Sequence, residues 1–203
     1  MLITQADLEK YLQIDVTAEP EAVVTQYIAQ AQAAAEAWCK QPLEHATVTE
    51  IFEVDQWEQW HVTDRFPITA VTSITEDDTL LTVDTQYKFY QDGRLRRLNG
   101  TQDSSWSMLP NAVTVVYTAG YGTGAPDPFD TIPNDLILGI VTICGDLWRF
   151  GAAYAAHGAV PIKSVQLEGS DMITYAVEVD GRQPGELTDA AKNLLAPYMR
   201  RRI

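Results

Sequence analysis

Histidine, cysteine and basic residues are scarce in this chain, and each scarcity narrows what it can do. The 203 residues include three histidines and two cysteines. His45, His61 and His157 are scattered, with no acid or nucleophile beside them at the spacing of a catalytic motif. Cys39 and Cys144 make no metal-ligand spacing; both fall on apolar helical faces and read as buried free thiols. Catalysis, a metal site and a cofactor are therefore not expected. The longest apolar stretch, Leu136 to Cys144, is less than half of a membrane span and is interrupted by Gly139 and Thr142, so no membrane partner is expected. Met1 is followed closely by Asp7 and Glu9, which is no signal peptide, and synthesis in the cytosol is expected. Against 28 acids stand 14 bases, giving a net charge of −14. Phosphate clamping needs a concentrated positive footprint, so affinity for DNA is not expected, while tolerance of passing DNA is compatible with the charge. Internal repeats and low-complexity segments are also lacking.

What the chain does hold is 46% hydrophobic residues, enough for one elaborated domain or two small ones. Its organising stretch runs from Asn111 to Phe150. Val113, Val115 and Tyr117 alternate with Thr114, Val116 and Thr118, the period of a pleated strand. Gly120, Gly122 and Gly124 then break the pattern, and Pro126 and Pro128 forbid an immediate helix. Helix restarts at Pro133, where proline suits a first helical position and Asp135 the positive end of the dipole. Leu136, Ile137, Ile140, Val141, Cys144, Leu147 and Trp148 follow at helical spacing.

Taken in order, Thr4 and Asp7 predict a capped first helix with Leu8, Tyr11 and Leu12 on its apolar face. Pro20 opens a second helix, striped by Val24, Tyr27, Ile28, Ala31, Ala34, Ala35 and Trp38; its small side chains either serve helix propensity alone or predict close packing against the helix from Pro133, within one subunit or across an interface. From Thr47 the period becomes that of strands: TVTEIFEV, QWHVT, ITAVTSIT, a short LTV, QYKFYQ, RLRRL and AVTVVYT. Asp92-Gly93 has the spacing of a two-residue hairpin turn. Glu76-Asp77-Asp78 reads as a solvated turn. Trp57, Trp60 and Trp106 are assigned to the core or rim of this β insert, with an exposed contact patch as the alternative. Gly120 to Gly124 superficially resembles a nucleotide-binding loop, but prolines follow it and no Lys-Ser/Thr pair does, so it reads as a flexible bend.

After Trp148, Gly151, Gly158 and Pro161 predict fraying and a bend. IKSVQLE and MITYAVEV then form a hairpin around Gly169-Ser170-Asp171, with Ile173, Tyr175, Val177 and Val179 on one face. This hairpin either joins the sheet or projects as an arm pairing with a neighbouring subunit, and its position between two helices favours the arm. A last helix, Leu187 to Leu195, leads into a basic tail, Tyr198 to Ile203, which serves either solubility alone or docking onto an acidic or grooved partner. Charge divides along the chain: residues 1–93 carry 17 acids and 4 bases, net −13, whereas 94–203 carry 11 and 10, net −1.

The strand ending VTVVYTAGYG, the Pro-rich connection, the helix start IPNDL and the long apolar helix together resemble the bacteriophage head-tail connector family, also called adaptor or head-completion proteins. LITQADLEKYLQID with EAVVTQYIAQAQAAAEAWCKQPL, FPITAVTSITEDD, and LTDAAKNLLAPYMRRR resemble its other segments in the same order; GDLWRFGAAYAA departs from it in lacking a polar run. The resemblance implies an α+β fold: a bundle of about four helices (residues 1–46 and 132–203) with an inserted small antiparallel β module (47–119) and a C-terminal hairpin arm at about 162–180. It implies a homo-oligomeric ring of twelve subunits in the virion neck, beneath the portal protein, bridging to a downstream neck, stopper or tail protein and leaving a channel for DNA. Carried onto this chain, Leu194, Leu195, Tyr198, Met199, Arg200, Arg201, Arg202 and Ile203 would dock on the portal. Ile173, Tyr175, Val177 and Val179 would lie in a subunit-interface arm, and Gly120, Tyr121 and Gly122 at a neck contact. The competing readings are a non-viral interaction module that uses a sheet edge without ring assembly, and a hydrolase whose site is assembled across the fold.

Overall fold

The computed structural model describes residues 1–13, 20–54, 57–122, 124–126, 128–157 and 187–200. They form an α+β chain that divides into two compact units. One comprises Met1, residues 3–35 and 134–197, and the other Leu2, residues 36–133 and 198–203. The expected hairpin arm, with Ile173, Tyr175, Val177 and Val179, lies outside the described residues.

In the first unit, α1 (Gln5–Leu12) starts as its sequence dictates. The Thr4 hydroxyl accepts the Asp7 amide hydrogen, and the Asp7 carboxylate accepts the Thr4 amide hydrogen at 2.7 Å. Two of the donors orphaned at the helix start are thereby satisfied. Helix α2 (Glu21–Cys39) buries Val24, Ile28, Ala31, Ala35 and Cys39, one side of the predicted stripe. The central helix α3 (Asn134–His157) buries Leu136, Ile140, Val141, Ile143 and Cys144, and it continues through Gly151, where fraying was expected. Helix α2 meets α3 through large rings, Tyr27 and Trp148, whose centroids are 5.3 Å apart. Close approaches to α3 also come at its glycines. A Cβ on Gly145 would sit 3.2 Å from Leu12, and one on Gly139 would sit 3.0 Å from Leu195 of α4 (Asp189–Leu195). Helix α4 is capped by Thr188, whose hydroxyl accepts the Ala191 amide hydrogen at 3.0 Å, and a single 3₁₀ turn, Ala196–Tyr198, follows it.

The second unit contains β1 (Ala46–Phe52), β2 (Trp60–Val62), β3 (Ile68–Glu76), β4 (Thr79–Leu80), β5 (Tyr87–Phe89), β6 (Arg94–Asn99), β7 (Gln102–Asp103) and β8 (Val113–Ala119). All pair antiparallel, in a four-stranded sheet ordered β1-β8-β3-β4 and a smaller one ordered β2-β6-β5, with β7 on β6. Alternation puts Val113, Val115, Tyr117 and Ala119 on the inner face of the first sheet, where they share one core with Tyr87 and Leu95 of the second. Trp106 is buried in that core, edge-on to Phe52 at 5.4 Å, whereas Trp57 is 79% exposed.

One strand and two turn expectations are corrected. The short strand expected at LTV lies earlier, at Thr79–Leu80, because Asp77 and Asp78 both take positive φ (48° and 61°) and close a two-residue hairpin with Glu76 opposite Thr79. The loop at Asp92-Gly93 has three residues, since the Tyr90 amide donates to the Arg94 carbonyl and Gly93, at φ 90°, donates to Tyr90. Glu76 is not solvated: it points inward, in phase with Ile74, and is buried.

Candidate functional site

Residues 198–200 pack within the β unit. Tyr198 is buried, edge-on to Tyr121 with ring centroids 5.7 Å apart, and Tyr121 meets Phe129 on a further edge at 6.1 Å. The buried Gln41 amide locks this contact. Its Nε2 donates to the Tyr198 carbonyl at 2.8 Å, and its Oε1 accepts the Phe66 amide hydrogen at 2.8 Å. One residue pair further on, the Arg200 amide donates to the Cys39 carbonyl at 2.8 Å, and the Arg200 guanidinium pairs with Asp64. Gln41 escaped sequence reasoning, because a polar residue just past a helix end ordinarily reads as a solvated terminus.

The bend that carries Tyr121 is fixed by hydrogen bonds, which corrects its reading as flexible. Gly120 donates to Pro67, Tyr121 donates to Leu43 and accepts from His45, and Gly122 donates to Phe129, at 2.9–3.0 Å. Gly120 has φ 106°, and a Cβ there would lie 2.6 Å from the Glu44 carbonyl oxygen, so glycine is required on both backbone and packing grounds. The structure thus brings together two residue groups that the sequence kept apart, Tyr198 of the tail and Tyr121 of the bend. Leu195 is buried against α3, Leu194, Met199 and Arg200 are half-buried, and Arg201, Arg202 and Ile203 lie outside the described residues.

Two charged clusters brace the β unit. Glu50 faces inward from β1; its Oε1 lies 2.9 Å from His61 Nε2, and its Oε2 accepts from the Asp64 amide and the Tyr117 hydroxyl, each at 2.9 Å. Burial alone pushes the Glu50 carboxyl up, but the hydrogen bonds from His61, Asp64 and Tyr117 outweigh it and hold the group below the ordinary glutamate range. Burial, followed by the neighbouring Glu50 charge, pushes the Tyr117 phenol well above its ordinary value. His61 also stacks on Phe52 at 3.6 Å, so this Glu-His pair is saturated with structural partners. In the second cluster Arg97 donates to Glu76 Oε2 from Nε at 2.9 Å and from Nη2 at 2.7 Å, while the Ser107 amide serves Oε1 at 2.8 Å. The sequence signal for both acids was a carboxylate in phase with the apolar residues of its strand.

Burial, the first cause, pushes the Cys39 thiol up to about 12 and the Cys144 thiol up to about 11, as buried structural thiols require. Among the described residues no cluster of histidine, cysteine and carboxylate ligands could hold a metal, and no helix is long and apolar enough to cross a membrane.

The family model described as Head completion protein matches residues 1–145. No curated protein matches the sequence. Among solved structures, a chain from the neck of an empty GTA particle computed with C6 symmetry is similar at 15% identity and TM-score 0.59, covering 100% of this chain and 91% of that one. A chain from the neck of a native GTA particle computed with C12 symmetry gives 16% identity and TM-score 0.55, covering 98% and 88%. One from the virion of a native gene transfer agent particle gives 15% identity and TM-score 0.57, covering 100% and 91%. At such identities these likenesses concern the fold. The family match extends over most of the chain and places it in a structural family and not among enzymes: the chain belongs to the Head completion protein family.

Proposed function

We propose that the protein is a head-tail connector that assembles as a ring in the virion neck, beneath the portal, and bridges it to a downstream neck or tail protein around an axial passage for DNA. The observation that carries this reading is the Head completion protein match over residues 1–145. Support comes from the likeness in fold, over 98–100% of this chain, to chains in necks computed with C6 and C12 symmetry; twelve subunits fit both. The acidic first 93 residues, net −13, suit a channel wall that repels the DNA backbone. Portal docking is assigned to the last helix and tail, Leu194 to Ile203. Leu195 and Tyr198 are the internal anchors of that segment, being buried in their own chain, and Met199 to Ile203 make the contact. The arm around Ile173 to Val179 is assigned to a subunit contact and the bend at Gly120 to Gly122 to the downstream face.

The test is electron microscopy of the purified chain mixed with the portal ring encoded beside it, using the full chain and a form ending at Arg200. The expected result is a ring added at the tail-facing end of the portal by the full chain and lost with the shortened one. Undiminished binding by the shortened form would move the portal contact elsewhere, and no added ring from the full chain at any salt concentration would sink the connector reading.

A further inference from the structure

The two sheets of the β unit share a core between their inner faces, so their outer faces point in opposite directions. Those outer faces differ in chemistry. On the larger sheet, Ile51, Thr114, Thr75 and Leu80 stand in one cross-strand row, and the next row is Thr49, Val116 and Ser73. No ionisable side chain interrupts these rows. Ile51 is 57% and Leu80 65% exposed, and at the rim beside Leu80 the β3–β4 turn presents the exposed carboxylates of Asp77 and Asp78. Exposed Met108 and Leu109 follow Ser107, whose hydroxyl donates to Asp77 at 3.0 Å and so fixes them near that rim.

On the smaller sheet the outer face is basic and aromatic. Trp60, Arg96 and Lys88 stand in one cross-strand row. The Arg94 guanidinium lies over both the Trp60 ring at 5.4 Å and the Tyr90 ring at 5.3 Å, Arg96 over Trp60 at 5.3 Å, and Lys88 Nζ 5.8 Å from the Tyr90 centroid. Arg94 is paired with Asp92 and Arg96 with Asp103, which leaves three cations against two carboxylates and a face of net +1. A positive face with two aromatic rings in a chain of −14 needs a reason.

We propose that the outer face of the β2-β6-β5 sheet receives the acidic, apolar rim of the β1-β8-β3-β4 sheet from a second copy of the chain, Lys88, Arg94 and Arg96 with Trp60 and Tyr90 meeting Asp77, Asp78 and Leu80. The inference rests on the ring reading above and deepens it. Two different patches on opposite sides of one module make a head-to-tail contact, and head-to-tail contacts repeated around an axis close into rings. Copies that each carry −14 repel one another, so the contact is most favourable where one partner is locally positive and the other presents its carboxylates at the rim of an uncharged face.

The test uses two charge-altered full-length variants. K88E/R94E turns the basic face from +1 to −3. D77N/D78N/L80K turns the acidic rim from −2 to +1, with asparagine keeping the positive φ that both turn positions adopt. Assembly is followed by sedimentation velocity and negative-stain electron microscopy, with and without the portal ring, and folding by circular dichroism. Each variant alone should need at least ~10-fold more protein to assemble than the wild type, since like charges then face each other across every contact. Mixed in equal amounts, the two should assemble again in alternation, because each altered face meets its altered complement. Rings from each variant alone at wild-type concentration, or folded variants that fail to assemble even when mixed, would overturn this interface while leaving the ring reading standing. Absence of rings from the wild type, alone and on the portal, would remove the ring reading and this inference with it.

Discussion

Replacing Gly120 by alanine tests the claim that the bend before α3 is built by close backbone approach. At φ 106° an alanine is far from any comfortable left-handed basin, which costs about 1–3 kcal/mol. The added Cβ would also lie 2.6 Å from the Glu44 carbonyl oxygen, 2.7 Å from its carbon and 2.8 Å from the Leu43 oxygen, all backbone atoms that cannot rotate away. Relief requires parting the two segments, which loosens the Tyr121-to-Leu43 and His45-to-Tyr121 hydrogen bonds, each worth about 0.5–1.5 kcal/mol. Together these predict a loss of about 2–6 kcal/mol for Gly120→Ala. Gly100→Ala is the control, for Gly100 has φ 64° with nothing within 4 Å of an added Cβ, and left-handed strain alone predicts about 1–2 kcal/mol there. Urea unfolding followed by tryptophan fluorescence suits the comparison, because four of the five tryptophans, at 38, 57, 60 and 106, belong to the β unit. If the two variants lose stability equally, the close approach contributes nothing and the reasoning is wrong.

Three further outcomes are expected. Glu50 has a lowered pKa in the folded state, so its contribution is present above the ordinary glutamate value of about 4.3 and is lost as pH falls through the lowered one. The melting temperature of the wild type should therefore fall over that acid range more steeply than that of Glu50→Gln; parallel curves would refute it. Arg97→Met should cost about 3–5 kcal/mol by leaving Glu76 buried with only the Ser107 amide, and Glu76→Met combined with it should recover much of that loss in a double-mutant cycle by urea unfolding. Cys39 and Cys144 should stay unreactive toward a disulfide reagent at pH 8 in the native protein and react in urea, since their thiols are buried and raised to about 12 and about 11; prompt native labelling would contradict their burial.

Local physics made much of this molecule legible from its residues. Thr4 and Thr188 cap helices through hydroxyls that only the next three residues need to meet, and the alternation of Val113 to Tyr117 marks a central strand because its period is set by the pleat itself. Gly120 announced a break for the same local reason, and the order of segments along the chain carried the family resemblance. What no window of sequence held were the partners brought in from afar. Glu76 looked like a turn carboxylate until Arg97, 21 residues on, met it in the interior. Gln41 looked like a spent helix end until Tyr198, 157 residues away, offered its carbonyl. Tyr198 likewise read as a free tail residue, whereas it is a core residue against Tyr121. Helical and strand periods are properties of the local backbone, so the sequence by itself determined the elements and their apolar faces. Pairing of buried charges and docking of the chain end depend on which surfaces are desolvated together, and only the tertiary structure decided those.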